Sequence, residues 1–532
     1  MNGSVDWERA GLGKTVSAAF SKFSLDCKKS SYKVDSVQFF YPSYFDTPIS
    51  GKFEDNVELN AKQGNTDFPR FESFQNVFNI DNLGEGVKYY GGFKLYGSDL
   101  LGPGTVDKKA NIRIYNRENK LIALARSTQF TISKGEKVLT EDAEVSLYFG
   151  NDSIYHPDVR LRYNIPKREL QIGRSEKSSS KGTFADSYHA VDIDVDDIQW
   201  FIDSVNMNIG KKTISYGSGT ETQCRFESNN FFSEREWVKH QAIATKNPVA
   251  ELADMSNETE RIVDAKSYAA ALGGFSVNAI LPLLQGLVQS GFIYYDYDKE
   301  LITVKDKVDH YADSYVKLKD YDVLRVISSE NGINGKFNTT TKDISVNGVK
   351  NILVSDSAQV IFEPLKAKVR LKKNRDMDFG GSVYGGYGVF LGRKYHFNYD
   401  QFEVEMDTID VFNLRVPTGE FTGDGTPLIE PLKTNIEDTN GKLSILESDD
   451  KSAAKYIRER EKKRKEGIGV GEKLDKSRYL SPYPIFEAKS KSHAYYDHKY
   501  TEKGCYKRDS FYFHLEPFSI DSLHNFDPRG IV

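Results

Sequence analysis

The feature that most constrains this chain is an internal repeat. The stretch opening Val138-Leu139-Thr140 and the stretch opening Ile352-Leu353-Val354 can be laid over each other for about sixty residues. Ala143-Glu144-Val145 aligns with Ala358-Gln359-Val360. Val159-Arg160-Leu161-Arg162-Tyr163-Asn164 aligns with Val369-Arg370-Leu371-Lys372-Lys373-Asn374. Arg168-Glu169-Leu170 follows with Arg375-Asp376-Met377, and Tyr188-His189 with Tyr395-His396. A looser relation links 402–410, 513–521 and 193–198. Duplication predicts a fold made by doubling or stacking one module. The chain stops soon after the last copy, as expected of a fragment of something longer.

Composition supports strands. Thirty-one Tyr, 33 Phe and 41 Gly stand against five Met. Aromatic side chains suit a pleated surface, and glycine supplies turns. A net charge of −5 with 28% charged residues is an ordinary soluble surface and points to neither nucleic acid nor membrane. No run reaches the ~18 apolar residues of a membrane helix, and no signal peptide is visible at Met1-Asn2-Gly3-Ser4. Cys27, Cys224 and Cys505 are too far apart for a disulfide framework or a zinc pattern.

Six segments are expected: a polar N-terminal segment (1–35), a first β module (36–232), a helical insert (233–310), a second β module (311–420), a charged linker (421–480) and a C-terminal β segment (481–532). Short strands recur at roughly ten-residue spacing before the insert, a pattern of sandwiches, barrels and β-solenoids. The insert opens with Ser233-Glu234-Arg235-Glu236, a capping-box pattern. It continues with helices near 259–272 and 278–290, Pro282 falling in the first turn of the latter. The run from Gly291 to Val304 reads as a hairpin. Helices followed by a two-stranded wing resemble a winged-helix module. The fold class is therefore mainly β, with duplicated β modules, as a parallel β-solenoid or stacked β-sandwich, flanking a winged-helix-like domain.

Chemical motifs were weighed against plainer readings. Gly11-Leu12-Gly13-Lys14-Thr15 ends like a phosphate loop but lacks the leading glycine and strand. Gly467-Ile468-Gly469-Val470-Gly471 follows a charged stretch and reads as linker. The would-be recognition helix, 278–290, carries no Lys or Arg, so the electrostatics oppose DNA binding. Asp192, Asp194 and Asp196 would share one strand face and form a Ca²⁺ candidate, against a solubilising strand edge. Asp152, Ser153 and His156 are close in sequence, yet nothing marks a nucleophile turn. His189 and His396 hold equivalent repeat positions, which implies a shared structural job. His493 and His498 near Asp497 could meet a metal, without a recognised spacing. Residues 451–480 hold eleven basic and five acidic residues, and the basic 455–465 stretch reads as a solvated helix.

Several strings resemble a pattern in large, strand-rich proteins of Bacteroidota that have no assigned activity. They are Asp152-Ser153-Ile154-Tyr155-His156-Pro157, Asp186-Ser187-Tyr188-His189, Phe226-Glu227-Ser228-Asn229-Asn230-Phe231-Phe232, Val354-Ser355-Asp356-Ser357, Lys373-Asn374-Arg375-Asp376 and Pro517-Phe518-Ser519-Ile520-Asp521-Ser522-Leu523. The resemblance covers most of 36–525 and implies export. It implies no catalytic residue. The expectation is a non-enzymatic structural or interaction protein of the bacterial envelope or surface, with no cofactor and a protein or surface glycan as partner. The alternative is carbohydrate binding, with lyase or hydrolase activity in a solenoid groove. Its ligand contacts would be Tyr395, Tyr399, Glu403, Glu405 and Asp407, exposed aromatics beside paired carboxylates.

Overall fold

A computed structural model describes residues 3–24, 26, 28–56, 66–105, 108–175, 181–210, 222–241, 246–297, 299–330, 332–421, 427–432, 434–458, 481–495, 511–522 and 529–531. The fold is mainly β, 52% strand against 14% helix, with large antiparallel sheets. No helix among the described residues is long and apolar enough to cross a membrane. Two compact units are present: residues 1–185, 196–211 and 338–340, and residues 186–195, 212–337 and 341–532.

In the first unit, Gly3–Trp7 and Gly13–Phe20 form a hairpin that continues through Ser31–Phe40 and Ile49–Asn56. Residues 1–35 are therefore not merely a polar lead-in. Val16, Ala18 and Phe20 point inward at every second position, and Trp7 is fully buried against Phe39, ring centroids 5.0 Å apart. The Gly11–Thr15 stretch turns this hairpin and starts no helix. Phe39 also stacks on Phe71 at 4.2 Å, at the centre of an aromatic core. Such pairs add about 0.5–1.5 kcal/mol beyond their buried area.

Two of the aligned stretches form hairpins. Asp152–Asn164 pairs antiparallel with Glu169–Gly173, and Lys368–Leu371 with the start of Met377–Gly385. At both turns a buried arginine, Arg168 or Arg375, takes a left-handed backbone (φ 48° and 71°). Outside these hairpins the backbones differ. Lys137–Phe149 is one strand where Ile352–Ser355 and Val360–Pro364 are two. Tyr188-His189 lies in a turn, whereas Tyr395-His396 lies inside Gly388–Asn398. Their equivalence was one of residue type, not of place. The described ladders are antiparallel, which sets aside a parallel solenoid, since its rungs pair parallel.

The second unit contains the helical insert. Its elements run α1 (Glu234–Gln241), α2 (Pro248–Glu258), a strand Ile262–Asp264, α3 (Ala265–Ala271), α4 (Val277–Gln289), strands Ile293–Asp296 and Leu301–Val304, then α5 (Asp306–Tyr315). Leu301–Val304 is the middle strand of the three, pairing antiparallel with both others. The stretch near 259–272 is thus a strand followed by a shorter helix. Pro282 sits inside α4 rather than in its first turn. α2 was missed despite a legible start: Asn247 caps it by accepting from the Val249 N–H at 2.9 Å, and Pro248 occupies the first turn. Only half of the capping box forms. Ser233 Oγ accepts from Glu236 N–H, while the Glu236 carboxylate pairs with Arg325 at 2.7 Å.

Buried charge joins this insert to the strands of its own unit. Glu227, on Thr222–Ser228, accepts from the Lys307 ammonium of α5 and from Arg325 Nε at 2.6 Å. Lys307 also donates to the Ser290 carbonyl at 2.8 Å, and Lys305 to both Asp192 oxygens. Burial alone raises the Glu227 carboxyl, but Lys307, Arg325 and Arg225 reverse this and hold it down to about 2. Burial lowers the His310 imidazole to about 4; its Nε2–H donates to the Asn230 carbonyl at 2.8 Å. Both folded values lie below the unfolded ones. Their stabilisation is full at neutral pH and is lost on acidification, from about 6.5 to about 4 for His310 and from about 4.3 to about 2 for Glu227. Urea unfolding followed by tryptophan emission (Trp237 lies in this insert) is expected to show a midpoint falling across these windows. Glu227→Gln is expected to cost about 3–5 kcal/mol at pH 7, because it strands a buried ammonium. A midpoint indifferent to both pH and this substitution refutes the ion lock.

Candidate functional site

A basic trough forms on the outward face of one sheet in the second unit. The pleat places it. Lys368–Leu371 buries Val369 and Leu371 and exposes Lys368 and Arg370. Gly335–Asn338 buries Phe337 and exposes Lys336, and Ile344–Asn347 buries Val346 and exposes Ser345. Register aligns the outward residues in a row: Lys336 opposite Ser345, Ser345 opposite Arg370, Arg370 opposite Asp378, and Asp378 opposite His396. Lys368 lies opposite Asn347.

The neighbouring strand, Gly388–Asn398, adds charge through an irregularity. Its register against Glu403–Phe421 shifts on both sides of Lys394, and both Arg393 and Lys394 are exposed. Such bulges re-aim side chains. Gly380 faces it closely: a Cβ there would lie 2.7 Å from the Arg393 carbonyl oxygen. The result is a cavity of about 760 Å³ lined by Lys336, Lys368, Arg370, Arg393, Lys394 and His396. A second hollow of about 500 Å³ shares Lys336 and Lys368 and adds Lys366.

The charges here are not balanced. Arg393 pairs with Asp410 through two contacts, 2.7 and 3.0 Å. Asp378 accepts from His396 Nδ1 at 2.7 Å and from Lys372 at 2.9 Å. Burial raises the Asp378 carboxyl, but these hydrogen bonds outweigh it and lower it overall. Lys336, Lys366, Lys368, Arg370 and Lys394 make no ion pair among the described residues. Asp407 is the one further carboxylate lining the larger cavity, and Glu330 lines the smaller one. The sequence signal for this face was present but unread. Lys366, Lys368, Arg370 and Lys372 alternate with Ala367, Val369 and Leu371, which is a strand with one basic face.

The expected glycan contacts are not brought together. Tyr395 is 2% and Tyr399 3% exposed. Tyr395 opposes Met406 on the inner face, while Glu405 opposes His396 on the outer one, so the sheet separates rings from carboxylates. Glu403 pairs with Lys442 at 3.2 Å and Glu405 with Lys489 at 3.8 Å. Tyr399 lies under the Arg375 guanidinium and donates to Asp322 at 2.6 Å. Burial raises its hydroxyl above the ordinary value. Of the five, only Asp407 and Tyr395 border the trough, Tyr395 from the buried side of its strand.

The other candidates are each engaged elsewhere. Asp192 meets Lys305 at 2.8 Å, Asp194 meets Arg225 at 3.3 Å, and Asp196 meets Arg174 at 3.1 Å, so the three do not share a cation cage. Among the described residues no group of three or more His, Cys, Asp or Glu side chains could hold a metal. His156 uses both ring nitrogens, with the Gly182 carbonyl and the Asp158 N–H, each at 3.1 Å. His189 Nδ1 contacts Asp186 at 2.7 Å inside a turn. His493 stands opposite His514 and 3.6 Å from Asp438. Lys455 pairs with Glu447 and Asp449. Cys224 is buried, 1% exposed. Cys27, Cys505, Asp497, His498, the 467–471 glycines and most of the 455–465 stretch lie outside the described residues. No family model matches this chain, and no curated protein matches it in sequence.

Two outcomes follow from these geometries. Lys368 faces Asn347 and stands two residues from Arg370 on one strand face. Relief of repulsion between such exposed neighbours means that Lys368→Glu is expected to stabilise the protein by up to about 1 kcal/mol in urea at low salt, with the gain shrinking at 1 M salt. Destabilisation at low salt would show that these cations are satisfied where they stand. Millimolar Ca²⁺, and EDTA after it, are expected to leave the thermal midpoint unchanged, because each aspartate of the 192–196 run already has a cationic partner. A Ca²⁺-dependent rise of several degrees contradicts this.

Proposed function

We propose that this protein is a non-enzymatic binding scaffold whose basic trough receives an anionic ligand. The observation that carries the reading is the set of unneutralised cations Lys336, Lys368, Arg370 and Lys394 on one sheet face, with Lys366 in the turn that leads into it. A sheet positions side chains more tightly than a loop does. The groups that catalysis would need, His156, His189 and Asp322, are instead committed to structural hydrogen bonds. Placement at the bacterial envelope or surface follows from the resemblance described above.

Within this reading the strands pack as a sandwich, and the two arginine-turn hairpins are the remnant of a duplicated module. The insert is winged-helix-like: helix, strand, two helices and a hairpin whose second strand takes up the first. The exposed face of α4 presents Asn278, Gln285 and Gln289 with no cation. That favours protein packing over phosphate contact. Its ion lock to the strands suits a rigid brace.

The test uses a trisulfonated fluorescent dye with the full chain. Polarisation is expected to report binding whose log affinity falls linearly with log salt, as counterion release requires. The double substitution Lys336→Gln and Lys394→Gln is expected to weaken binding at least tenfold with the urea midpoint preserved. Binding that ignores both salt and these substitutions rejects the trough as the site.

A further inference from the structure

We infer that the ligand of this trough is an acidic polysaccharide, a linear sugar chain carrying repeated carboxylate or sulfate groups. The inference rests on the anion-binding reading above and narrows its ligand.

The cations are spread out rather than convergent. Strands lie about 4.8 Å apart, and residues two apart on one strand about 7 Å. Lys336 and Arg370, separated by the strand bearing Ser345, are therefore about 10 Å apart at the backbone. Lys368 and Arg370 are about 7 Å apart, and Lys366 extends the line beyond the strand end. No point lies close to all of them, so a lone phosphate or sulfate meets one or two at a time. The backbone offers no substitute, because its N–H groups along the paired strands are consumed by the ladders and cannot form an anion nest. A chain with charges at intervals reaches several cations at once.

Neutral hydrogen-bonding groups are interleaved with the charge. Ser345 stands between Lys336 and Arg370 in the cross-strand row, and Asn347 stands opposite Lys368. Both belong to the trough lining. Alternation of cations with hydroxyl and amide groups matches a polymer whose anionic groups are separated by sugar hydroxyls. A single-stranded nucleic acid would want rings to stack its bases. The rings at this place, Phe379 and Tyr395, are turned beneath the sheet at 7% and 2% exposure. At one end Asp378 takes up Lys372 and His396. The unpaired stretch of the row therefore ends at Arg370.

The experiment compares four probes with the full chain at 50 and 200 mM salt, by calorimetry or polarisation. The probes are heparin oligosaccharides, polygalacturonate oligomers, single-stranded DNA of matched charge, and a sulfated disaccharide. At least one acidic polysaccharide is expected to bind ten times or more tighter than either the DNA or the disaccharide. Lys368→Gln with Arg370→Gln is expected to weaken that binding tenfold or more, and Ser345→Ala with Asn347→Ala threefold or more. Lys239→Gln, on an exposed helical position, is expected to leave it unchanged. A disaccharide that binds as tightly as the polymers overturns the polymer inference and leaves the anion site standing. DNA binding as tight as or tighter than both polysaccharides overturns the sugar assignment in the same way. Failure of all four, together with failure of the dye, removes the site itself.

Discussion

The alternation of side chains across a pleated strand is the constraint on which the rest depends. In the sheet built from Gly335–Asn338 to Gly388–Asn398, Phe337, Val346, Val369, Leu371 and Phe397 are driven inward because burial of each is worth about 1.5–3 kcal/mol. That inward set fixes the register, since a slip of one residue would bury Lys336 and Arg370. The outward set then has no freedom of place. A surface of cations is held rigidly by an apolar layer that never touches a ligand, so the energy that defines the site is spent on the opposite face of the same strands.

A second constraint operates where helices meet strands. Glu227 is 2% and Lys307 6% exposed. Neither would be stable there alone, since each buried ion loses several kcal/mol of hydration. Together with Arg325 they form a connection specific in direction: α5 can sit against Thr222–Ser228 in one way only if the ammonium is to reach the carboxylate. Apolar packing inside the insert, around Leu284, Phe292 and Tyr311, makes the helices compact but does not select a docking face. Charge does. Arg325 strengthens that selection by touching Glu227, Glu236 and the Phe231 ring together, joining strand, helix and loop.

Much of the architecture was legible in the residues, for identifiable reasons. The hairpin 293–304 and α4 carried strong local periodicity, and both formed. The β-rich class followed from aromatic content. What failed depended on distance. The alignment of 138–201 with 352–412 compares residue types; the two segments share a left-handed arginine between paired strands and otherwise differ in backbone. Farther out, partners supplied by remote segments decided whether the chain continued, as in Lys137–Phe149, or turned, as between Ser355 and Val360. The expected grouping of rings with carboxylates is split by one pleat position. Tyr395 and Glu405 are close in sequence but fall on opposite faces, and their parity depends on the irregular register around Lys394, which no spacing argument exposes. The basic face shows in the sequence only as the alternation of Lys368 and Arg370 with Val369 and Leu371.

The sheet itself shows that the trough is not a by-product of a lysine-rich composition. Continuing the same cross-strand row past His396 reaches Glu405, then Lys442, then Glu487. There the charges alternate in sign, and they pair: Glu403 with Lys442, Glu405 with Lys489. Exposed pairs of this kind are worth only about 0–1 kcal/mol each, so the difference between the two regions is small in energy but opposite in sign. Leaving several like charges near one another costs up to about 1 kcal/mol by the same exposed-charge scale, against a stability of roughly 5–15 kcal/mol. A few acidic substitutions would remove that cost. A face that keeps its cations uncompensated, beside one that balances its own, has the electrostatics of a surface completed from outside.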